Sequence, residues 1–183
     1  MDTLFKRILI FGTTIMVGAI IINSCVSTPV LFEQENIQAE PTTLPLGQVV
    51  SQDNWQFVLT EGNWIERSPA EPAIKAVFKR STPYNVSIIF TKEEVNTNLK
   101  YYILNAVHSF TEYEFIPNVI KTVVINGQTF ISMQVVKEDQ IIIDWITIKD
   151  NFGYSLTCAV ELADADSPQY ILCETIAQTM EIQ

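Results

Sequence analysis

The sequence is poor in the residues that build metal sites and catalytic triads. Its 183 residues include one histidine, His108, and three cysteines that have no close spacing. A zinc site made of Cys and His is therefore nearly excluded, as is a His-dependent triad that does not use His108 itself. Three cysteines are also too few for a disulfide scaffold. We predict no metal site.

Basic residues and short catalytic motifs are scarce as well. There are 11 Lys and Arg against 21 Asp and Glu, a formal net charge of −10 that repels nucleic-acid phosphates. The chain contains no glycine-rich phosphate loop, no Gly-x-Ser-x-Gly motif and no HExxH motif. We therefore expect neither nucleic-acid binding nor a cofactor, and we predict that the protein is not an enzyme.

The first 24 residues have the pattern of a signal peptide. Lys6 and Arg7 precede residues 8–22, an uncharged run of 15 residues that is mostly apolar. As a helix this run covers roughly 22 Å, whereas a membrane span needs about 20 residues. The length favours a cleaved signal segment over an uncleaved N-terminal anchor, which remains the alternative.

The end of this segment, Ile22-Asn23-Ser24-Cys25, resembles the lipobox of bacterial lipoproteins. The resemblance implies cleavage before Cys25, attachment of diacylglycerol to its thiol and acylation of the new amino group. Two or three acyl chains would hold the protein durably on a membrane. Val26 is not the Asp associated with inner-membrane retention, so in a diderm bacterium the implied location is the outer membrane, facing the periplasm.

Residues 25–47 are predicted to be a flexible tether. From residue 26 onward they include three prolines and no basic residue, and they show no hydrophobic period. A flexible coil of this length has ends about 26 Å apart. The segment would therefore hold the following domain at a short distance from the membrane.

Residues 48–183 are predicted to form one α+β domain. Strands are expected at residues 54–59, 73–80 and 85–92. An amphipathic helix is expected next, capped by one of residues 96–98. Its apolar residues recur at helical spacing, and they are Leu99, Tyr102, Ile103, Ala106, Val107 and Phe110.

An antiparallel meander is predicted after this helix. Asn126-Gly127 marks a two-residue hairpin turn, and short turns are also expected at residues 138–139 and 150–151. A closing helix is expected to begin at Ser167-Pro168, a cap residue followed by proline. The sheet should therefore be mostly antiparallel and should pack against at least two helices.

The order of these segments is similar to the PsbP superfamily, which includes PsbP proteins of photosystem II and bacterial DcrB-type lipoproteins. The similarity lies in "FVLTEGNW", "NVSII", "VVINGQTFISMQV", "FGYSLTCA" and "ILCETIAQTMEI". It implies an α/β/α sandwich, an antiparallel sheet with helices on both faces. It also implies a binding or assembly role and brings no catalytic residues with it.

Asp144 and two cysteines are the candidate site residues of the domain. The turns predict Asp144 opposite Met133 and Thr157, on a strand otherwise rich in isoleucine. It is either a binding-site carboxylate with a raised pKa or a structural one hydrogen-bonded to Thr157. Cys158 and Cys173 face a common core, and their Cα atoms are expected near 8 Å apart. Two packed thiols and a disulfide both remain open.

The remaining polar candidates have simpler explanations. His108 is expected at the helix surface instead of acting as a general base. Residues 164–167 are more consistent with a helix-capping loop than with a Ca²⁺ site, because Ca²⁺ needs six or more oxygen ligands. The four glutamates that flank the first helix are expected to be solvated, and they are Glu93, Glu94, Glu112 and Glu114.

Three functions remain to be compared. The first is an envelope lipoprotein whose domain binds another envelope protein without catalysis. The second is a periplasmic carrier of a small molecule or ion, for which Asp144 would lie in the wall of a deep apolar pocket. The third is a hydrolase with an unrecognised carboxylate site, which has the least support.

Overall fold

The computed structural model describes residues 47–60, 62–69, 71–81, 83–138, 140–161 and 167–183. These residues form ten strands and two helices. The strands are β1 (Gly47–Gln52), β2 (Trp55–Thr60), β3 (Ile65–Glu66), β4 (Ile74–Arg80), β5 (Val86–Glu94), β6 (Ile116–Ile125), β7 (Gln128–Lys137), β8 (Gln140–Lys149), β9 (Phe152–Glu161) and β10 (Glu181–Ile182). The helices are α1 (Leu99–Glu112) and α2 (Pro168–Gln178).

Seven strands form one long antiparallel sheet in the order β3-β4-β5-β9-β8-β7-β6. A smaller antiparallel sheet has the order β1-β2-β10. In the long sheet, Asp144 pairs with Met133 on one side and with Thr157 on the other. The sequence-based register of the meander is therefore confirmed.

Two-residue turns fix that register. Asn126 and Gly127 have φ values of 48° and 79°, and Asp150 and Asn151 have values of 52° and 64°. Positive φ at both central residues is the geometry that joins twisted antiparallel strands most directly. Because successive side chains alternate between faces, these turns also decide which face each residue of β7, β8 and β9 occupies.

Both helices begin at the expected caps. The Asn98 side chain accepts a hydrogen bond from the backbone N–H of Tyr101, at 3.1 Å. Ser167 likewise accepts one from the N–H of Tyr170, at 3.3 Å, and Pro168 occupies the first turn of α2. These caps satisfy backbone donors that have no partner within a helix. Among the described residues, neither helix is long and apolar enough to cross a membrane.

The apolar side chains form two separate clusters. Neighbouring residues of β8 alternate between them: Ile143 joins a cluster with Cys173 of α2, and Ile142 joins a cluster with Ile103 of α1. We call these the α2-side core and the α1-side core. The α2-side core also includes the inner residues of the small sheet. The apolar residues predicted for the inner side of the first helix belong to the α1-side core or pack against it, and Cys173 of α2 lies in the α2-side core as expected.

Two parts of the fold differ from expectation. Gly47, assigned to the tether, begins β1. The sequence does not predict this strand because its six residues lack the alternation of apolar and polar side chains that is typical of strands. Five of the six are exposed. Strand β6, for which the sequence predicts a start at Val119, begins at Ile116. Pro117 lies within β6 beside an irregularity in its pairing with β7. Proline is tolerated there because β6 is an edge strand of the long sheet.

Candidate functional site

Asp144 lies in the middle of the long sheet and is 5 % exposed. It shares a face with Ile142 and Ile146, the face that packs against α1. The hydroxyls of Ser155 and Thr157 on β9 both donate to its Oδ1, at 2.5 and 3.1 Å. The hydrogen bond expected from Thr157 is therefore present, and Ser155 adds a second one.

Burial governs the ionisation of Asp144. Removal from water raises the pKa of Asp144 to about 6, although the two donated hydrogen bonds act in the opposite direction. The carboxyl group therefore exchanges its proton in a mildly acidic range instead of near pH 4. This geometry allows Asp144 to act as a proton-binding group, but it leaves little room for a ligand.

A second polar pair lies under α1. The Tyr102 hydroxyl donates a hydrogen bond to Glu93 Oε1 at 2.6 Å. Burial raises the pKa of Glu93, and burial together with the neighbouring Glu93 raises the pKa of Tyr102. Tyr102 also lies directly over Gly153, where an added Cβ would come within 2.6 Å of the tyrosine ring. The glycine therefore makes room for the tyrosine.

Glu93 corrects the expectation of a solvated glutamate. It sits on β5 opposite Gly153, and the tyrosine above that glycine covers its carboxylate. The sequence placed Tyr102 on the inner stripe of α1 but gave no register between α1 and the sheet. Glu94, the next residue, is exposed as expected.

Cys158 and Cys173 are joined by a disulfide, with their Cα atoms 5.9 Å apart. Both residues are completely buried in the α2-side core. The expected separation near 8 Å is wrong because it assumed the usual spacing between a helix and a sheet. The Cα separation of 5.9 Å shows that α2 and β9 approach more closely at the cysteines, whose side chains are small.

The remaining candidates do not gather around Asp144. His108 lies on the outer surface of α1, with its side chain 62 % exposed, and contacts Glu112 at 3.3 Å. Cys25 and residues 164–166 lie outside the described residues. Within the described part of the chain, no group of three His, Cys, Asp or Glu residues could hold a metal ion.

Two adjoining clefts lie where α1 ends and β6 begins. The larger, of about 510 Å³, is lined by Glu114, Ile116, Asn118, Val136, Lys137 and Glu138. The smaller, of about 220 Å³, is lined by Glu112, Tyr113, Glu114 and Lys137. Neither cleft includes Asp144. The deep apolar pocket that a carrier function would place beside Asp144 is therefore not provided by these clefts.

Lys137 organises the cleft. Its Nζ lies 2.6 Å from Glu114 Oε2 and 3.0 Å from the Tyr113 carbonyl oxygen, and 5.9 Å from the centre of the Phe115 ring. Ile116 beside it is 70 % exposed. Sequence reasoning missed this site because its residues come from a helix end, a strand start and a turn. In the sequence, only Ile116, an isoleucine next to Pro117, pointed to this cleft.

Comparisons with known proteins bear on the fold. No protein-family model matches the sequence, and no curated protein matches it. A cyanobacterial PsbP (CyanoP) from Synechocystis is similar in structure, with a TM-score of 0.55 and 13% identity, over 80% of this chain and 99% of that one. The Ran-binding protein Mog1p of Saccharomyces cerevisiae is also similar in structure, with a TM-score of 0.55 and 14% identity, over 75% of this chain and 96% of that one.

Similarity at such low identity shows the fold alone. The described residues have a PsbP-like fold, a mostly antiparallel sheet with two helices. The fold expected from the order of segments is confirmed to that extent. Neither similarity transfers a residue role to this chain.

Proposed function

We propose that the protein is a DcrB-type lipoprotein of the bacterial cell envelope whose domain binds another envelope protein without catalysis. In this proposal Cys25 carries the lipid, residues 26–46 are the tether, and the domain is an α/β/α sandwich with one helix on each face of the long sheet. In a diderm bacterium the protein would reside on the outer membrane and face the periplasm.

The observation that carries the binding role is the exposed apolar surface at one end of the long sheet. Ile116 is 70 % exposed and Val119 is 38 % exposed, beside the shallow cleft around Lys137. Exposed apolar side chains rimmed by charged ones are typical of protein-binding surfaces. Asp144, by contrast, is buried on the face that packs against α1, and its Oδ1 already accepts hydrogen bonds from two hydroxyls.

The structural neighbours support a binding role by analogy only. Mog1p is described as a Ran-binding protein, and it has a similar fold. A fold does not determine a function, so the analogy supports the idea of a protein partner and says nothing of its identity.

A small-molecule carrier is the second candidate. The cleft of about 510 Å³ falls within the range of about 300–1,000 Å³ that is usual for small-molecule sites. Its openness to solvent and its position away from Asp144 favour a protein surface instead. Recovery of a bound small molecule from the natively purified protein, seen by mass spectrometry of the denatured extract, would favour the carrier.

Chemical crosslinking in intact membranes, followed by purification of the full chain, tests the binding role. We expect one envelope protein to be recovered in proportion to the bait. Recovery of no protein partner would contradict the proposal.

Incorporation of radiolabelled palmitate tests the anchor. We expect the full chain to be labelled and the Cys25→Ala variant to lose the label, because the thiol is the proposed attachment point. A labelled Cys25→Ala variant, or an unlabelled wild type, would contradict the lipid assignment while leaving the binding role intact.

A further inference from the structure

Among the described residues, no strand pairs with the outer edge of β6. Strand β6 ends the long sheet, and among the described residues only β7 pairs with it. The pairing with β7 is irregular between Pro117 and Val119. Such an irregularity makes the first part of β6 a poorer template for pairing with a further strand. From Ile120 to Ile125 the pairing with β7 is regular.

The hairpin turn shows which backbone groups face outward. Asn126 and Gly127 form the two-residue turn, and the residues that flank such a turn, Ile125 and Gln128, form a hydrogen-bonded pair. Because hydrogen-bonded and non-hydrogen-bonded pairs alternate, the N–H and C=O groups of Val124, Thr122 and Ile120 point away from β7. The outward N–H and C=O groups of these three residues are the donors and acceptors with which an added strand would form hydrogen bonds.

The usual protection against edge pairing is weak along this stretch. An edge is commonly guarded by a lysine that projects into solvent. The only charged residue in β6 is Lys121, and its Nζ lies 3.9 Å from Glu174 on α2. Its side chain is only 24 % exposed. The Lys121 side chain therefore points toward the face of the sheet covered by α2, where it does not hinder the approach of another strand to the edge.

The charge near the start of β6, beyond this regular stretch, is mainly negative. The larger cleft, at the start of β6, is lined by two glutamates and one lysine, and Lys137 contacts Glu114. Glu138 is exposed and forms no ion pair with the described residues. Glu112 lines the adjoining cleft. A segment that followed β6 toward Ile116 would therefore meet an exposed apolar side chain and, in the same cleft, the carboxylate of Glu138.

We propose that the edge of β6 from Ile120 to Val124 binds an extended segment of a partner protein, in which apolar residues alternate with basic ones. Backbone hydrogen bonds to the outward groups of β6 would supply affinity, as in other strand additions. An apolar side chain would cover Ile116, and a basic one would pair with Glu138. A second copy of this chain is a poorer occupant because its net charge of −10 opposes self-association. The inference rests on the proposed protein-binding role and names its surface.

Two substitutions at Thr122 separate the contribution of its backbone N–H from that of its side chain. Thr122→Pro removes an outward N–H without removing a hydrogen bond to β7, a change that edge strands tolerate. Thr122→Ala removes the same side chain but retains the N–H. Circular dichroism on both variants verifies that the fold is retained, and Glu138→Lys serves as a further variant that leaves the strand intact.

The probe is an amidated eight-residue peptide of alternating valine and lysine, with a peptide of alternating valine and glutamate as its control. Binding to the full chain, purified in detergent, is measured by fluorescence anisotropy at low salt. We expect the lysine peptide to bind at least tenfold more tightly than the glutamate peptide. Thr122→Ala should bind like the wild type, Thr122→Pro at least tenfold more weakly, and Glu138→Lys several-fold more weakly.

Several results would overturn this inference. Failure of the lysine peptide to bind would reject the proposed ligand. Equal binding of that peptide to the two Thr122 variants would reject the β6 edge as its site. A concentration-dependent dimer that only Thr122→Pro disrupts would show that a second copy of this chain occupies the edge. The membrane crosslinking experiment separates this failure from that of the proposed function. A partner captured equally by both Thr122 variants would support protein binding and reject the β6 edge, whereas capture of no partner would reject both.

Discussion

The two cores of the domain are built on different principles. In the α2-side core, aromatic rings pack in series: Trp55 lies 4.2 Å from Phe90, and Phe90 lies 5.8 Å from Phe57, measured between ring centres. A disulfide adds a covalent link there. The α1-side core contains Asp144, the only buried charged residue among those described, and the Tyr102–Glu93 hydrogen bond beside it.

This difference implies different responses to conditions. Apolar burial and a disulfide do not depend on protonation, so the α2-side core should be insensitive to mildly acidic pH. The α1-side core includes carboxyl groups whose pKa is raised by burial, so its contribution to stability should change with pH.

The largest expected effect comes from removing an aromatic ring from the α2-side core. Phe90→Ala should lower the free energy of unfolding by about 3–5 kcal/mol, because Phe90 is fully buried and contacts three other rings. Phe110→Ala on the α1 side is the matched comparison. Phe110 packs against the Phe115 ring at 6.2 Å and is 5 % exposed, whereas Phe90 is completely buried, so loss of the Phe110 ring should cost less. Urea unfolding measures both; a larger loss for Phe110→Ala would contradict this account of the cores.

The disulfide should have the next largest effect. Replacing both Cys158 and Cys173 by Ala should lower the free energy of unfolding by about 3 kcal/mol, because the bridge closes a short loop in the unfolded chain. The two residues are 15 positions apart. Unfolding of the wild type with and without dithiothreitol provides the comparison, and the variant should not respond to the reductant. A reductant effect of equal size in both proteins would show that the bridge is not its source.

The pH response of the α1 side should come next. Because the pKa of Asp144 rises from 3.8 in the unfolded chain to about 6 in the folded one, the unfolded state holds fewer protons between these values. Stability from this residue therefore falls as pH rises from about 4 to about 6, by on the order of 3 kcal/mol, and stays low above that. Glu93, whose pKa is also raised, acts in the same direction.

Asp144→Asn isolates this contribution. The variant should be more stable than the wild type at pH 7, and its advantage should shrink toward pH 4, where Asp144 is protonated in the folded state and begins to be protonated in the unfolded state as well. Glu94→Gln, at an exposed residue next to Glu93, is the control for loss of a carboxylate. Unfolding curves from pH 4 to pH 8 measure the difference. A difference between Asp144→Asn and the wild type that does not vary with pH would refute the assignment.

The sequence could predict the parts of this structure that depend on local rules. The turns at Asn126-Gly127 and Asp150-Asn151 fixed the register of the meander, and the register placed Asp144 beside Thr157. The caps at Asn98 and Ser167 set the starts of the helices. Each of these features depends on a few adjacent residues and on a period of two or 3.6.

The remaining features depend on how distant elements approach one another. The contact between Tyr102 and Glu93 requires the position of α1 over β5, and the 5.9 Å separation of the cysteines requires the height of α2 over β9. Neither distance is encoded in a local pattern. The cleft around Lys137 likewise joins three elements, so its lining could not be assembled from sequence spacing.

The smallest effect tests the polar contact of the α1 side directly. Tyr102→Phe retains the ring over Gly153 but removes the hydroxyl that donates to Glu93, so it should lower the free energy of unfolding by about 1 kcal/mol. It should also raise the pKa of Glu93 further, because that hydrogen bond holds the pKa down against burial. Tyr101→Phe, at a tyrosine that is 58 % exposed on the same helix, is the control. Carboxyl chemical shifts followed by NMR across pH measure the Glu93 pKa. If Tyr102→Phe left it unchanged, the hydrogen bond would not govern the ionisation of Glu93, and the α1 side would differ from the α2 side through Asp144 alone.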